Sequence, residues 1–133
     1  MIDIENEVNT LIAQPLRTEF EGIFITGEDI VNIPKKFPCL SIFEADNYPV
    51  VKTQDSGSNE NHVHVMYEVN VYSNKKEGAK SEFKKILAFV DNLLSNYGLV
   101  RTTKQPVTMN DANIYRLFAR YEGIADNNYI YRR

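Results

Sequence analysis

Two histidines, His62 and His64, stand two residues apart. On a strand that spacing puts both imidazoles on one face, a geometry that can grip a divalent metal. A metal site takes three or four ligands. The nearest further donors are Glu60 and Glu68, so solvent-facing or interface histidines are the better account. The single cysteine, Cys39, lies beside Leu40 and Ile42 without the signature of an activated nucleophile. It reads as a buried structural thiol. Glu82-Phe83-Lys84 matches the Glu-x-Lys end of a restriction-type nuclease motif. That chemistry needs both side chains on one side of a strand. Here the triplet falls inside a helical pattern, where residues two apart diverge by about 200°.

The remaining carboxylates, among them Glu44, Asp46, Asp55, Glu60, Glu68 and Glu122, are scattered, and no spacing forces a pair. There is no Gly-rich phosphate loop and no Gly-x-Ser-x-Gly elbow. No catalytic residue, metal or cofactor is expected. Arg116 and Arg120 are four apart on a predicted strand and share a side, with Arg132 and Arg133 in the same C-terminal third. Set against Asp55 and Glu60, they are either a solvated strand face or one half of a head-to-tail contact between copies. The candidate interface residues are therefore Asp55, Glu60, His62, His64, Arg116, Arg120, Arg132 and Arg133.

These groups must be held by a chain of 133 residues, which is the size of one domain. Its hydrophobic share of 43% and charged share of 25% are those of a globular protein. A net charge of −3 disfavours sequence-independent binding to nucleic acid phosphates. No apolar run reaches the ~18 residues that span a bilayer, and the acidic start Met1-Ile2-Asp3-Ile4-Glu5 is not a signal peptide. One unpaired cysteine fits a reducing compartment.

Ile4, Val8, Leu11 and Ile12 recur at helical spacing, predicting a helix over 3–14 with Asp3 as cap, no continuation through Pro15 without a kink, and a brief resumption over Leu16–Phe20. Gly22–Thr26 and Cys39–Phe43 read as strands, and 44–61 as a long polar loop. Over 62–73, Val63, Val65, Tyr67, Val69 and Val71 alternate with mostly polar residues, the period of a half-buried strand. Asn74 to Tyr97 is the main helix, with Asn74 and Glu77 as a capping box and Gly98 as its stop. Leu99–Lys104, ended by Pro106, and Asn113–Ile124 follow as strands. A turn at Asp126-Asn127-Asn128 precedes a short last strand, Tyr129–Tyr131. The sum is one α+β domain: a mostly antiparallel, mixed sheet of four to five strands with an N-terminal helix and one long central helix against it.

Several stretches, in order, carry a resemblance. They are Phe37-Pro38-Cys39-Leu40-Ser41-Ile42 leading to Glu44 and Asn47, Tyr67 to Asn74 before a Lys-rich helix start, and Tyr97-Gly98-Leu99. Asn113-Ile114-Tyr115-Arg116 through Arg120-Tyr121 and a closing Tyr129-Ile130-Tyr131-Arg132-Arg133 complete the set. Together they resemble the small tail-terminator (tail-completion, or minor capsid) proteins of long-tailed phages and prophages of Gram-positive bacteria. The resemblance implies an α+β subunit without catalytic residues. It further implies a ring, usually of six copies, that caps the tail tube and meets the head connector or stopper, with room for DNA to pass. The expected place is the virion tail, assembled in the host cytoplasm. Two alternatives stand beside it: another neck component, such as a head-completion or connector adaptor protein, and a small metal-dependent nuclease using Glu44, Asp46 or Glu68.

Overall fold

The computed structural model describes residues 3–28, 34–49, 62–109, 111 and 113–125. In chain order these form α1 (Glu5–Glu19), β1 (Phe24–Thr26), β2 (Cys39–Pro49), β3 (Val63–Ser73), α2 (Ala79–Tyr97), β4 (Val100–Val107) and β5 (Tyr115–Ala125). The strands make one sheet in the order β1-β2-β3-β5-β4, parallel only between β1 and β2. The expected α+β class with a mixed sheet and two helices is what the chain adopts.

β3 organises the sheet. Its alternation buries Val63, Val65, Tyr67, Val69 and Val71 on one face. Both helices pack there: Ile4, Val8, Ile12 and Leu16 from α1, and Phe83, Ile86, Leu87, Val90 and Leu94 from α2, join those β3 residues in one core. From β5 the core takes Leu117, Ala119, Tyr121 and Ala125. Phe118 and Ile124 are half-buried on the opposite side. Between β3 and β4, α2 acts as the crossover, and β5 then inserts between those two parallel strands.

Four boundaries differ from the sequence expectation, each for a physical reason. First, α1 runs unbroken through Pro15 to Glu19. Proline removes one helical hydrogen bond, a penalty of about 3 kcal/mol. Full burial of Leu16 and the edge-on packing of Phe20 on Phe89, 5.7 Å between centroids, offset it. Second, β2 does not end at Phe43. It crosses a bulge between Glu44 and Asp46 and pairs on to Pro49, opposite Val63. Residues 44–49 of the supposed loop are therefore strand, because β3 is eleven residues long and β2 pairs along its whole length.

Third, α2 starts at Ala79, after Gly78 in the left-handed region (φ 78°). Asn74 caps nothing. Instead Ser73 Oγ donates to Glu82 Oε1 at 2.6 Å, and Lys75 Nζ sits 2.9 Å from Glu82 Oε2, tying the end of β3 to the helix's first turn. The expected stop is in place: Gly98 (φ 115°) donates to Leu94 O, and Leu99 N follows it at 2.9 Å. Fourth, β4 carries Pro106 within it, opposite Leu117. A proline is tolerated there because β4 is an edge strand of this sheet. The supposed turn at Asp126-Asn127-Asn128 and last strand at Tyr129–Tyr131 lie outside the described residues.

Candidate interaction surface

The helices occupy one face of the sheet. The second face is built by the other half of each alternation. At one end, Tyr48 of β2 stacks on His64 of β3, 4.9 Å between centroids and 24° between planes. Tyr48 is 48% exposed, one of three large hydrophobic side chains exposed among the described residues, with Val100 and Tyr115. Met66, two residues on from His64 in β3, is the register partner of Asp46.

Towards the middle runs a ladder of polar contacts. Arg120 Nη2 lies 3.6 Å from Glu68 Oε1, and the same guanidinium sits over the Phe118 ring at 5.5 Å. Asn70 Nδ2 donates to Glu68 Oε2 at 3.1 Å. Arg116 Nε donates to Asn70 Oδ1 at 2.8 Å and lies over the Tyr72 ring at 5.6 Å. Fully buried Asn70 is thus satisfied by a charged neighbour on each side. At the far end Cys39, Tyr72 and Ile114 form a second, smaller apolar cluster under Phe24, Phe37 and Met109.

The sequence placed Arg116 and Arg120 on one side, and there they are. It did not reveal that Asn70 and Glu68 stand directly beside them, because the β3–β5 register joins residues about fifty apart. Both arginines are engaged within their own chain, so neither is a bare cation offered to a neighbour. His64 is on this face. His62 precedes β3 and is half-buried. Asp55, Glu60, Arg132 and Arg133 lie outside the described residues. Among the described residues no group of three or more His, Cys, Asp or Glu is placed to hold a metal ion.

The carboxylates of the nuclease alternative are divided between two faces. Glu44 is the register partner of core-facing Tyr67, whereas Asp46 and Glu68 belong to the opposite side. Glu44 sits against α1: its backbone amide donates to Glu5 Oε2 at 2.7 Å, and its own Oε1 accepts from Asn47 Nδ2 at 2.9 Å. Burial pushes its carboxyl above the usual carboxylate range, the Asn47 bond pulls back, and Asp3, Glu5 and Asp46 add repulsion. The Cys39 thiol is fully buried and pushed up to about 12 by desolvation, as suits a structural cysteine. Glu82-Phe83-Lys84 lies within α2, with Phe83 in the core and Lys84 exposed, so its carboxylate and ammonium do not converge.

Two adjoining grooves open where the start of α2 meets the end of β4. One, of about 330 Å³, is lined by Lys80, Phe83, Val107 and Met109; the other, of about 490 Å³, by Phe37, Lys75 and Lys76. They share Asp111, Ile114 and Tyr115, the last 37% exposed. The lysine-rich start of the helix is visible in the sequence, but the groove is not, because residues from four separate segments make it. Among the described residues no helix is long and apolar enough to cross a membrane. Compared with models of known protein families and with curated proteins, the chain matches none.

Proposed function

We propose that this chain is a structural subunit of a phage or phage-like tail, closing into a ring that caps the tail tube and joins it to the head connector. One observation carries the proposal beyond the motif resemblance. Among the described residues, both helices pack on one face of the sheet, while the other carries Tyr48, His64, Met66 and Phe118 around a neutralised Arg–Glu–Asn ladder. Such a face suits contact with protein: its charges are already matched, and its aromatic groups are rigid. The edges complement this. β4 carries Pro106, Lys104 and a bulge between Arg101 and Thr103, devices that discourage strand-to-strand growth.

The mechanism is one of shape. A tube of stacked rings grows because each ring shows the next a matching rim. A terminator binds that rim and offers no second one like it. The carboxylates of the nuclease alternative, split between two sheet faces, give that reading no support. A head-completion or adaptor role is distinguished by which end of the particle the protein decorates.

The test is to add the purified chain to growing tail tubes and view them by negative-stain electron microscopy. The proposal expects a collar at one tube end and an end to elongation. Tubes that lengthen unchanged and uncapped would overturn it.

A further inference from the structure

Register rows run straight across the sheet. One joins Arg101 of β4 to Tyr121, Tyr67 and Glu44 of β2; the next joins Val100 to Glu122, Met66 and Asp46. These rows start at a basic edge and end at an acidic one. We propose that copies of this chain join side by side, with the α2–β4 edge of one seated against the α1–β2 edge of the next. This rests on the ring reading above and assigns the two surfaces that it needs.

Charge is divided between those edges. Residues 3–28 and 34–49, which supply α1, β1 and β2, carry eight carboxylates against three cations. Residues 75–107, which supply α2 and β4, carry seven cations against three carboxylates. On the acidic edge Asp3, Glu5 and Asp46 all lie close enough to Glu44 to repel its carboxylate. None of the four has an ion pair among the described residues. On the basic edge Lys84, Arg101 and Lys104 surround a recess of about 160 Å³ between α2 and β4. Its one acid, Asp91, is already taken by Arg101 and the Tyr121 hydroxyl. Lys84 and Lys104 are exposed and have no ion pair among the described residues.

Within one chain the two sets do not meet: β3 and β5 stand between β2 and β4. A second copy set beside the first along the rows brings them together. The acidic edge is open to it. β1 covers β2 only at Cys39–Ser41, so Glu44 to Tyr48 has no strand beside it among the described residues. At the other edge Pro106 and the bulge between Arg101 and Thr103 disfavour backbone pairing, which leaves the contact to side chains. Each edge also offers an exposed apolar group beside its charges, Tyr48 near Asp46 and Val100 next to Arg101. Single surface ion pairs contribute little, but several matched across one contact set its register and partner. Two different surfaces make a heterologous contact, which closes a ring whenever the rotation per copy divides a full turn.

A charge-swap series tests the contact, read by the concentration dependence of particle mass in light scattering. The variants are Lys84→Glu with Lys104→Glu, Asp3→Lys with Asp46→Lys, and all four together. Unfolding midpoints within error of the parent's establish that each folds. Asp3→Asn with Asp46→Asn keeps the acceptors for the Glu5 and Asn47 amides and replaces the lysine pair should that one unfold. Each double variant is expected to raise the dissociation constant about tenfold or more, and the fourfold variant to return within about threefold of the parent. Folded double variants that assemble as the parent does, or a folded fourfold variant that stays dissociated, would overturn the contact while leaving the ring reading standing. A parent chain that keeps its single-chain mass, alone and with tail tubes, would remove both.

Discussion

The Glu5 carboxylate accepts a 2.7 Å hydrogen bond from the backbone amide of Glu44, locking the first turn of α1 onto the bulged strand β2. The amide is at an irregularity in the β2–β3 register, so the helix supplies what the sheet ladder does not. Charged acceptors make the stronger hydrogen bonds. Glu5→Ala should therefore lower stability by about 1–3 kcal/mol, and Glu5→Gln, which keeps an acceptor, by less. Urea denaturation of the three chains measures both. Equal losses in the two variants would show that the bond is not what Glu5 contributes.

The same corner makes stability depend on pH. Burial, with the charges of Asp3, Glu5 and Asp46, raises the Glu44 carboxyl above its unfolded value, against the pull of Asn47. The folded chain then binds this proton more tightly than the unfolded chain. Its contribution is favourable at low pH and is lost as pH rises from the ordinary carboxylate range through the raised value. Glu44→Gln should flatten that part of the curve and raise stability near neutrality. Urea midpoints of parent and variant across about pH 4 to 8 test this. Parallel profiles would contradict it.

Two buried tyrosines should behave oppositely. Tyr121 is fully buried, and its hydroxyl donates to Asp91 Oδ1 at 2.7 Å, with Arg101 3.6 Å from the same carboxylate oxygen. Tyr67 is equally buried, but its hydroxyl has no hydrogen-bond partner among the described residues. Tyr121→Phe should cost about 1–3 kcal/mol, because Asp91 loses a charged hydrogen bond. Tyr67→Phe should be neutral or stabilising, since it removes an unsatisfied buried polar atom. Thermal melts of the two variants suffice, and a larger loss at Tyr67 than at Tyr121 would contradict the assignment.

Cys39 should resist alkylation while the chain is folded. It is fully buried between Tyr72 and Ile114, and its thiolate is disfavoured by desolvation up to about 12. Iodoacetamide at mildly alkaline pH is expected to label it only in denaturant, as mass spectrometry would record. Rapid labelling of the folded chain would contradict its placement.

Much of the fold was legible where a single period dominates. The two-residue alternation of Val63 to Val71 named both β3 and its core face, and the stripe from Phe83 to Leu94 named the buried side of α2. Leu93 and Tyr97 sit at the margin of that stripe and are half-buried. What stayed hidden was non-local. Glu44 to Pro49 has turn-like composition, and only its pairing with Val63–Tyr67 makes it strand. Pro106 marks a strand end in isolation but not on a sheet edge. Within the surface, the shared side of Arg116 and Arg120 followed from spacing alone. Their partners Asn70 and Glu68 followed from register, which no local pattern encodes. The groove beside α2 draws on Phe37, Lys75, Lys80, Val107 and Tyr115, whose meeting depends on the finished sheet.

The ladder yields one more expectation. Arg120→Glu places a carboxylate opposite Glu68, a like-charged cross-strand pair, and forfeits the stacking on Phe118. It should lower fold stability by about 1–2 kcal/mol before any effect on assembly is read. A variant with unchanged unfolding but altered assembly would instead place Arg120 at a contact between copies.

The account depends most on identical copies closing on one another. Its direct test is the solution mass of the purified chain over a wide concentration range, alone and with tail tubes added. A closed particle at a small whole multiple of the 15.3 kDa chain, six being the multiple the motif resemblance implies, is the predicted result. A mass of 15.3 kDa at every concentration, unchanged by tubes, would contradict it.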